Sequence, residues 1–282
     1  MAQKQLSAPD ILARKGGGKI AVLTAYDYPT GLLADAAGAD AILVGDSLGM
    51  VCLGLPDTLG VTMADMLHHT KAVCRAAKNA LVVADMPFLS YQTSVPEAVA
   101  NAGRFLQEAG ARAVKLEGGA EFVPVVRAML AAGIPVMGHI GLTPQQVARF
   151  GGFKAQGKTA RAARQLLADA RALAEAGCFA LVLEAVPAEV AQRITAEIGI
   201  PTIGIGAGPH CDGQVLVQHD VLGLCPGLRP SFVKQYADLW TPAKDALAAY
   251  CAEVRSGAFP AAAHTRRMDP AELAEFSAGK DA

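Results

Sequence analysis

Six ionisable side chains in this chain of 282 residues each interrupt an apolar run. Asp46 ends AILVGD (41–46), and Asp85 lies in LVVADMP (81–87). Lys115 and Glu117 share AVKLEG (113–118), His139 sits in VMGHIG (136–141), and Glu184 sits in ALVLEAV (180–186). Charges are almost never fully buried unless paired or metal-bound, so a charge inside such a run calls for a reason. Asp46, Asp85 and Glu117 are three carboxylates with no three cations beside them. Brought together they repel, unless a cation joins them or some are protonated. Hard oxygen ligands from several elements suit Mg2+, with water or substrate completing an octahedron. Each acid alone reads better as a partner of a loop arginine or a cap on the next helix than as a metal ligand; the set of three favours the metal.

Lys115 and Glu117 are two apart and therefore face the same side of a strand. Either they pair with each other, or Lys115 meets a substrate carboxylate or enolate oxygen while Glu117 ligates the metal. Glu184 follows Ala-Leu-Val-Leu, surroundings that raise a carboxyl pKa and suit a general base or acid; a salt bridge is the alternative. His139 reads equally as a packed core histidine and as a functional one.

To meet, these residues need neighbouring strands. The apolar runs at 19–27, 41–46, 81–87, 113–118, 136–141, 180–186, 202–208 and, more weakly, 221–225 are mostly continuous, as for strands covered on both faces. Ala/Leu-rich helical stretches separate them, at 30–37, 62–79, 95–109, 119–132, 159–176 and 187–198. That alternation predicts βαβ units and a parallel sheet. A helix ending in glycine, followed shortly by a strand, recurs at Gly38, Gly110, Gly133, Gly177 and Gly199, each a candidate left-handed helix terminator. Eight such units predict an α/β fold, a single-domain (β/α)8 (TIM) barrel whose C-terminal strand ends form one mouth. An open doubly wound sheet is disfavoured, because no GxGxxG follows the first strand. Long segments at 47–62, 141–158 and 206–220 are candidates to cover the mouth. The barrel domain is expected over 1–260, with a terminal helix at 234–256. Residues 261–282 form a polar tail that either frays or packs as an arm on another subunit.

Composition narrows the function class. Hydrophobic residues make up 52% and charged residues 18%, which excludes a disordered chain. A net charge of −1 argues against nucleic acid or anionic membrane as a partner. No apolar run approaches a membrane span, and the N-terminus lacks the apolar core of a secretory signal. Six cysteines without a CxxC pair suit reduced thiols, and a cytoplasmic location is expected.

The segments LTAYDYPT (23–30), ILVGDSLGMV (42–51), HHTKAV (68–73), VVADMPFLSY (82–91) and AVKLEGG (113–119) together resemble the ketopantoate hydroxymethyltransferase family. So do GIPVMGHIGLTPQ (133–145), GGFKAQGK (151–158), LVLEAVP (181–187) and IGIGAGPHCDGQVLV (203–217). The likeness runs from about residue 5 to 260. It implies a Mg2+-dependent barrel that moves a hydroxymethyl group from 5,10-methylenetetrahydrofolate to 3-methyl-2-oxobutanoate, the first committed step of pantothenate synthesis. Carried over, it places the metal on Asp46, Asp85 and Glu117. Asp46, Ser47, Asp85, Lys115 and His139 border the 2-oxo acid, and Glu184 is the proton acceptor. Leu43, Val82 and Val182 are candidates for the apolar wall around the branched chain. The family also implies a homo-oligomer, a decamer. The folate site has no candidate beyond the long loops.

Overall fold

Continuous Val/Ile/Leu/Ala runs become strands here because helices cover one face and the barrel interior the other. In the computed structural model, which describes residues 4–152, 154–227 and 230–279, eight parallel strands close in chain order. They are β1 Ile20–Thr24, β2 Ala41–Val44, β3 Leu81–Asp85, β4 Ala113–Glu117, β5 Val136–Gly141, β6 Ala180–Glu184, β7 Thr202–Ile205 and β8 Gly213–Leu216. Pairing of β8 with β1 closes the ring. Helices follow the strands, among them Met63–Ala76, Val95–Arg104, Val123–Ala131, Ala160–Ala176 and Ala188–Glu197. The (β/α)8 barrel is thus the observed architecture.

The two-residue period of the strands divides the core. Ile20, Leu43, Leu81, Val83, Met137 and Val182 belong to an inner cluster inside the ring. Ile42, Val82, Val114, Leu116, Leu181 and Leu183 belong to an outer cluster with the helices. Helix starts are fixed by side-chain caps: Asp27, Thr62, Ser94 and Thr159 accept from the amides of Thr30, Asp65, Glu97 and Ala162.

Two expectations are corrected. The run 221–225 is no strand: Val221 and Leu222 finish the helix Gln218–Leu222, which Gly223 terminates. The eighth strand lies instead at Gly213–Leu216, inside the segment 206–220 expected as loop. Gly213 permits it, since a Cβ there would lie 2.5 Å from the Ile20 carbonyl oxygen of β1. Of the five helix-ending glycines, Gly38, Gly110, Gly133 and Gly177 are left-handed. Gly199 is not, because the helix Ala188–Glu197 already ends on an extended Ile198.

The chain divides into two compact units, Met1–Tyr236 and Ala237–Ala282. The first holds the barrel. The second holds the helix Trp240–Ser256, a 3-10 turn at Ala262–His264 and the helix Pro270–Ala278. Within it the Phe259 ring lies 5.5 Å from Tyr250 and 5.2 Å from His264. The terminal helix expected from 234 begins at Trp240, and the polar stretch after 260 contains a nine-residue helix. The six cysteines are free thiols. Among the described residues no helix is long and apolar enough to cross a membrane.

Candidate active site

Asp85, Glu117, His139 and Glu184 occupy the C-terminal halves of β3 to β6 and Lys115 the middle of β4, at alternate positions continuous with the inner cluster. Asp46 lies two residues past the end of β2, where the chain turns over the mouth, and its amide donates to Asp85 Oδ2 at 3.2 Å. Lys115 is the hub. Its Nζ lies 2.9 Å from Asp85 Oδ1, 3.9 Å from Glu117 Oε1 and 3.2 Å from His139 Nδ1. On the far side of the imidazole, His139 Nε2 lies 3.3 Å from Glu184 Oε2. Ser47 is half-buried, with its Oγ 2.8 Å from the Tyr26 hydroxyl. All six residues singled out from the sequence therefore meet at one mouth, with Ser47 on its rim.

The electrostatics follow from four carboxylates gathered round one lysine. Burial works against the charge of Lys115, but Asp85, Glu117 and Asp46 outweigh it and raise its pKa. Lys115 is therefore an ammonium. Burial, then the charge of Lys115, push the pKa of His139 well down, so the ring is neutral. An ammonium beside Nδ1 makes that nitrogen the acceptor, which assigns the ring proton to Nε2, toward Glu184. Burial and neighbouring Asp85 push Asp46 up to about 7. Burial also raises Glu117, with Asp46 and Asp85 adding to the effect. Glu184, with 16% of its side chain exposed, is pushed up to about 7 by burial. Just after it, Ala185 adopts a left-handed φ of 48°. Its amide donates to the Ile205 carbonyl at 2.8 Å and its carbonyl accepts from Gln156 N at 3.0 Å. That turn swings the chain off the rim immediately beyond the carboxyl.

The donor set fits a divalent cation. Asp85 Oδ1 and Glu117 Oε1 are buried without a hydrogen bond, although Lys115 stands within ion-pair reach. Unpaired carboxylate oxygens of this kind, in a cage short of positive charge, are what a hard cation satisfies. Among the described residues no three acidic, histidine or cysteine groups are already gathered into a coordination geometry.

Two polar residues escaped the sequence reading. Gln145, 3% exposed, links two of the acids: its Nε2 donates to Asp46 Oδ2 at 2.9 Å and its amide to Glu117 Oε2 at 3.0 Å. Nε2 also donates to the Met86 carbonyl at 2.8 Å. The Tyr91 hydroxyl lies 2.9 Å from Gln145 Oε1 and 3.0 Å from the Glu117 carbonyl. Neutral residues in loops carry no charge anomaly to flag them. One expected wall residue is also corrected. Leu43 and Val182 face the interior, but Val82 packs in the outer cluster and Val83 is the inward residue of β3. The parity is fixed by Asp85, two residues from Val83.

The ketopantoate hydroxymethyltransferase family matches residues 5–262. A 3-methyl-2-oxobutanoate hydroxymethyltransferase of Syntrophobacter fumaroxidans is 58% identical over 279 residues, covering 99% of both chains. One from Moorella thermoacetica is 61% identical, over 94% of this chain and 99% of its own. Solved barrels resemble the fold at far lower identity. A 2,3-dimethylmalate lyase of the PEP mutase/isocitrate lyase superfamily has a TM-score of 0.59 at 16% identity, over 97% of this chain and 95% of that one. A phosphonopyruvate hydrolase has 0.62 at 13%, over 97% and 95%. The family match spans the whole barrel that builds the acid-lined mouth, and the identity extends over nearly all of both chains: the protein belongs to the ketopantoate hydroxymethyltransferase family.

Proposed function

We propose that the protein transfers a hydroxymethyl group from 5,10-methylenetetrahydrofolate to 3-methyl-2-oxobutanoate, giving 2-dehydropantoate, the first committed step of pantothenate synthesis. The observation that carries this reading is the placing of Glu184, a carboxyl at the edge of a buried cage with its Oε2 3.3 Å from His139, whose other nitrogen meets Lys115; burial pushes its pKa up to about 7. A base of that pKa at the mouth suits removal of a proton from carbon beside a carbonyl.

In this reading Glu184 takes the C3 proton of the 2-oxo acid, with His139 Nε2 standing 3.3 Å from its Oε2. Lys115 supplies positive charge to the oxygen that becomes negative as the proton leaves. Leu43, Val83 and Val182 receive the branched alkyl end, and Ser47 borders the acid. C3 then bonds to the folate's methylene carbon, both carbon–nitrogen bonds to that carbon break, and one water supplies the hydroxyl oxygen. Asp46, Asp85 and Glu117 would hold Mg2+, which when bound offsets the carboxylate charge and polarises the keto oxygen as a Lewis acid. Gln145 and Tyr91 keep Asp46 and Glu117 aimed into the cage.

The reading extends to a homo-oligomer, the decamer the family implies. Leu247, Tyr250 and Phe276 of the C-terminal unit are 66%, 53% and 73% exposed and offer apolar area for it. It also extends to the cytoplasm. The assay is product formation from 3-methyl-2-oxobutanoate, methylenetetrahydrofolate and Mg2+. Ketopantoate is expected; its absence, with a control enzyme active in the same mixture, overturns the proposal.

A further inference from the structure

The side of the mouth formed by β1 and β2 is built differently from the acid cage next to it. Thr24, at the end of β1, and Tyr26 and Ser47, just past the ends of β1 and β2, bring neutral hydroxyls there. Tyr26 is 1% exposed. A buried phenol needs a partner for its hydroxyl, and here Ser47 Oγ lies 2.8 Å away. Ser47 in turn reaches the cage. The point where a Cβ on Gly45 would stand lies 2.9 Å from Ser47 Oγ and 3.9 Å from Asp85 Oδ2. A glycine at 45 thus leaves open a space that the serine hydroxyl and a cage carboxylate both border.

Three helices fix Tyr26 in place. Its amide donates to Thr30 Oγ1 at 3.1 Å, in the first turn of the helix Tyr28–Ala36. Its carbonyl oxygen lies 2.5 Å from His69 Nδ1, on the helix Met63–Ala76. Its ring meets the imidazole of His219, on the helix Gln218–Leu222, with centroids 5.3 Å apart and planes tilted by 49°. None of these contacts uses the hydroxyl, which faces Ser47 first and Thr24 second. Thr24 Oγ1 is already engaged, accepting from the Gln218 amide at 3.0 Å. A phenylalanine would serve the packing equally well; the oxygen serves the serine.

Proton counting gives the direction of the bond. Tyr26 and Ser47 carry one O–H each, and a substrate carboxylate can only accept. Burial pushes the Tyr26 pKa far up, so the phenol keeps its proton. A serine that donates its one proton to a carboxylate has none left for Tyr26, and so accepts from it. We propose that Tyr26 is a positioning residue for the 2-oxo acid: its O–H donates to Ser47 Oγ and thereby turns the serine proton into the mouth, onto the substrate carboxylate. The proposal rests on the transfer reading above for the identity of the acid and the place of Ser47. Tyr26 touches no reacting atom and acts through the serine alone. Without it the Ser47 hydroxyl loses the donor that sets its rotation.

The test is calorimetric titration of the full-length protein with 3-methyl-2-oxobutanoate at saturating Mg2+, in wild type, Tyr26→Phe, Ser47→Ala and the double variant. Phenylalanine keeps the ring and its contact with His219. Ser47→Ala should weaken the 2-oxo acid by about tenfold or more, the loss expected for a hydrogen bond to a charged group. Tyr26→Phe should weaken it by about three- to tenfold, the scale of a neutral hydrogen bond. In the Ser47→Ala background the same change should move the affinity by less than about twofold, because no hydroxyl is left to orient. In steady state the KM of Tyr26→Phe for the 2-oxo acid should rise more than its kcat falls, while its KM for methylenetetrahydrofolate stays within about twofold. A tyrosine that only packs would lower the thermal midpoint and leave the affinity alone. Unchanged affinity in Tyr26→Phe therefore overturns the proposal, and so does an equal loss with and without Ser47. The transfer reading fails separately: wild type that binds the 2-oxo acid yet forms no ketopantoate overturns that reading, while the four affinities still decide the role of Tyr26.

Discussion

The two ends of the barrel interior are built on the same strands, with the same parity and the same burial, yet their chemistry is opposite. At the lower end β3 presents Leu81 and Val83, β4 Ala113, β5 Met137 and β6 Ala180 and Val182. Two residues further along the same faces, or four for Glu117, come Asp85, Lys115, Glu117, His139 and Glu184. Apolar layers stabilise by leaving water, at about 25 cal/mol per Å² of apolar area. The acid layer does the reverse: burial raises the pKa values of Asp46, Glu117 and Glu184, so each ionised form costs stability. One end of the interior holds the fold; the other holds charges the fold would be steadier without.

Substitutions at each end should break that symmetry in different currencies. The largest effect is expected at Glu184→Gln, which should slow C3–H exchange of the 2-oxo acid into D2O by about 10²–10⁴-fold and leave the thermal midpoint unchanged or raised. Exchange at the wild-type rate would remove Glu184 from the base role. Leu81→Ala, at a fully buried position of the lower layer, should cost about 2–5 kcal/mol in urea unfolding. Its folded fraction should retain the wild-type exchange rate; loss of rate without loss of stability would erase the distinction between the ends.

Gln145→Leu sits between these extremes. Removing donors from Asp46 and Glu117 should weaken Mg2+ binding by about 10–100-fold, read as a shift in the metal concentration needed to raise the thermal midpoint. An unshifted titration would sever Gln145 from the metal acids. The pH dependence sharpens the contrast further. The pKa of Glu184 rises from an ordinary 4.5 to about 7 on folding, so its stabilising contribution is complete below 4.5 and lost as pH rises through 7. Melting of EDTA-treated protein should therefore fall between pH 5 and 8, and Glu184→Gln should flatten the fall. The exchange rate should climb over the same interval, because the base must be ionised. The smallest effect is expected at Ala185→Gly. It relieves a left-handed φ of 48° that costs a non-glycine residue about 1–2 kcal/mol, against about 0.5–1 kcal/mol of added glycine entropy. Net stabilisation within about 1 kcal/mol is the outcome to look for, by thermal melt.

Much of this was legible in the sequence, for physical reasons. Charges inside apolar runs are costly, so Asp85, Lys115, Glu117 and Glu184 announced themselves, and the glycine stops counted out the units. The eighth strand did not, because GQVL is four residues long and opens on a glycine needed for close pairing, while VLGLC is more apolar. Val82 faces outward, and counting back by two from Asp85 indicates Val83 as the inward residue. Gln145 and Tyr91 were illegible: their importance lies in which oxygens they meet across the mouth, and no local pattern encodes a contact 99 residues away, as between Gln145 and Asp46.

The alternation of Lys115 and Glu117 on β4 has a consequence for how the chain finds its alignment. A slip of one residue against β3 or β5 would exchange the faces of the whole strand. Val114 and Leu116 would then turn into the ring, while an ammonium and a carboxylate would be driven into the layer where Val126 and Leu173 pack. Each stranded ion there costs several kcal/mol. An all-aliphatic β4 would carry no such penalty for sliding. The charged pair is thus a ratchet pin as well as a reagent, and mispaired forms of the barrel are discouraged by the same two side chains that work at its mouth.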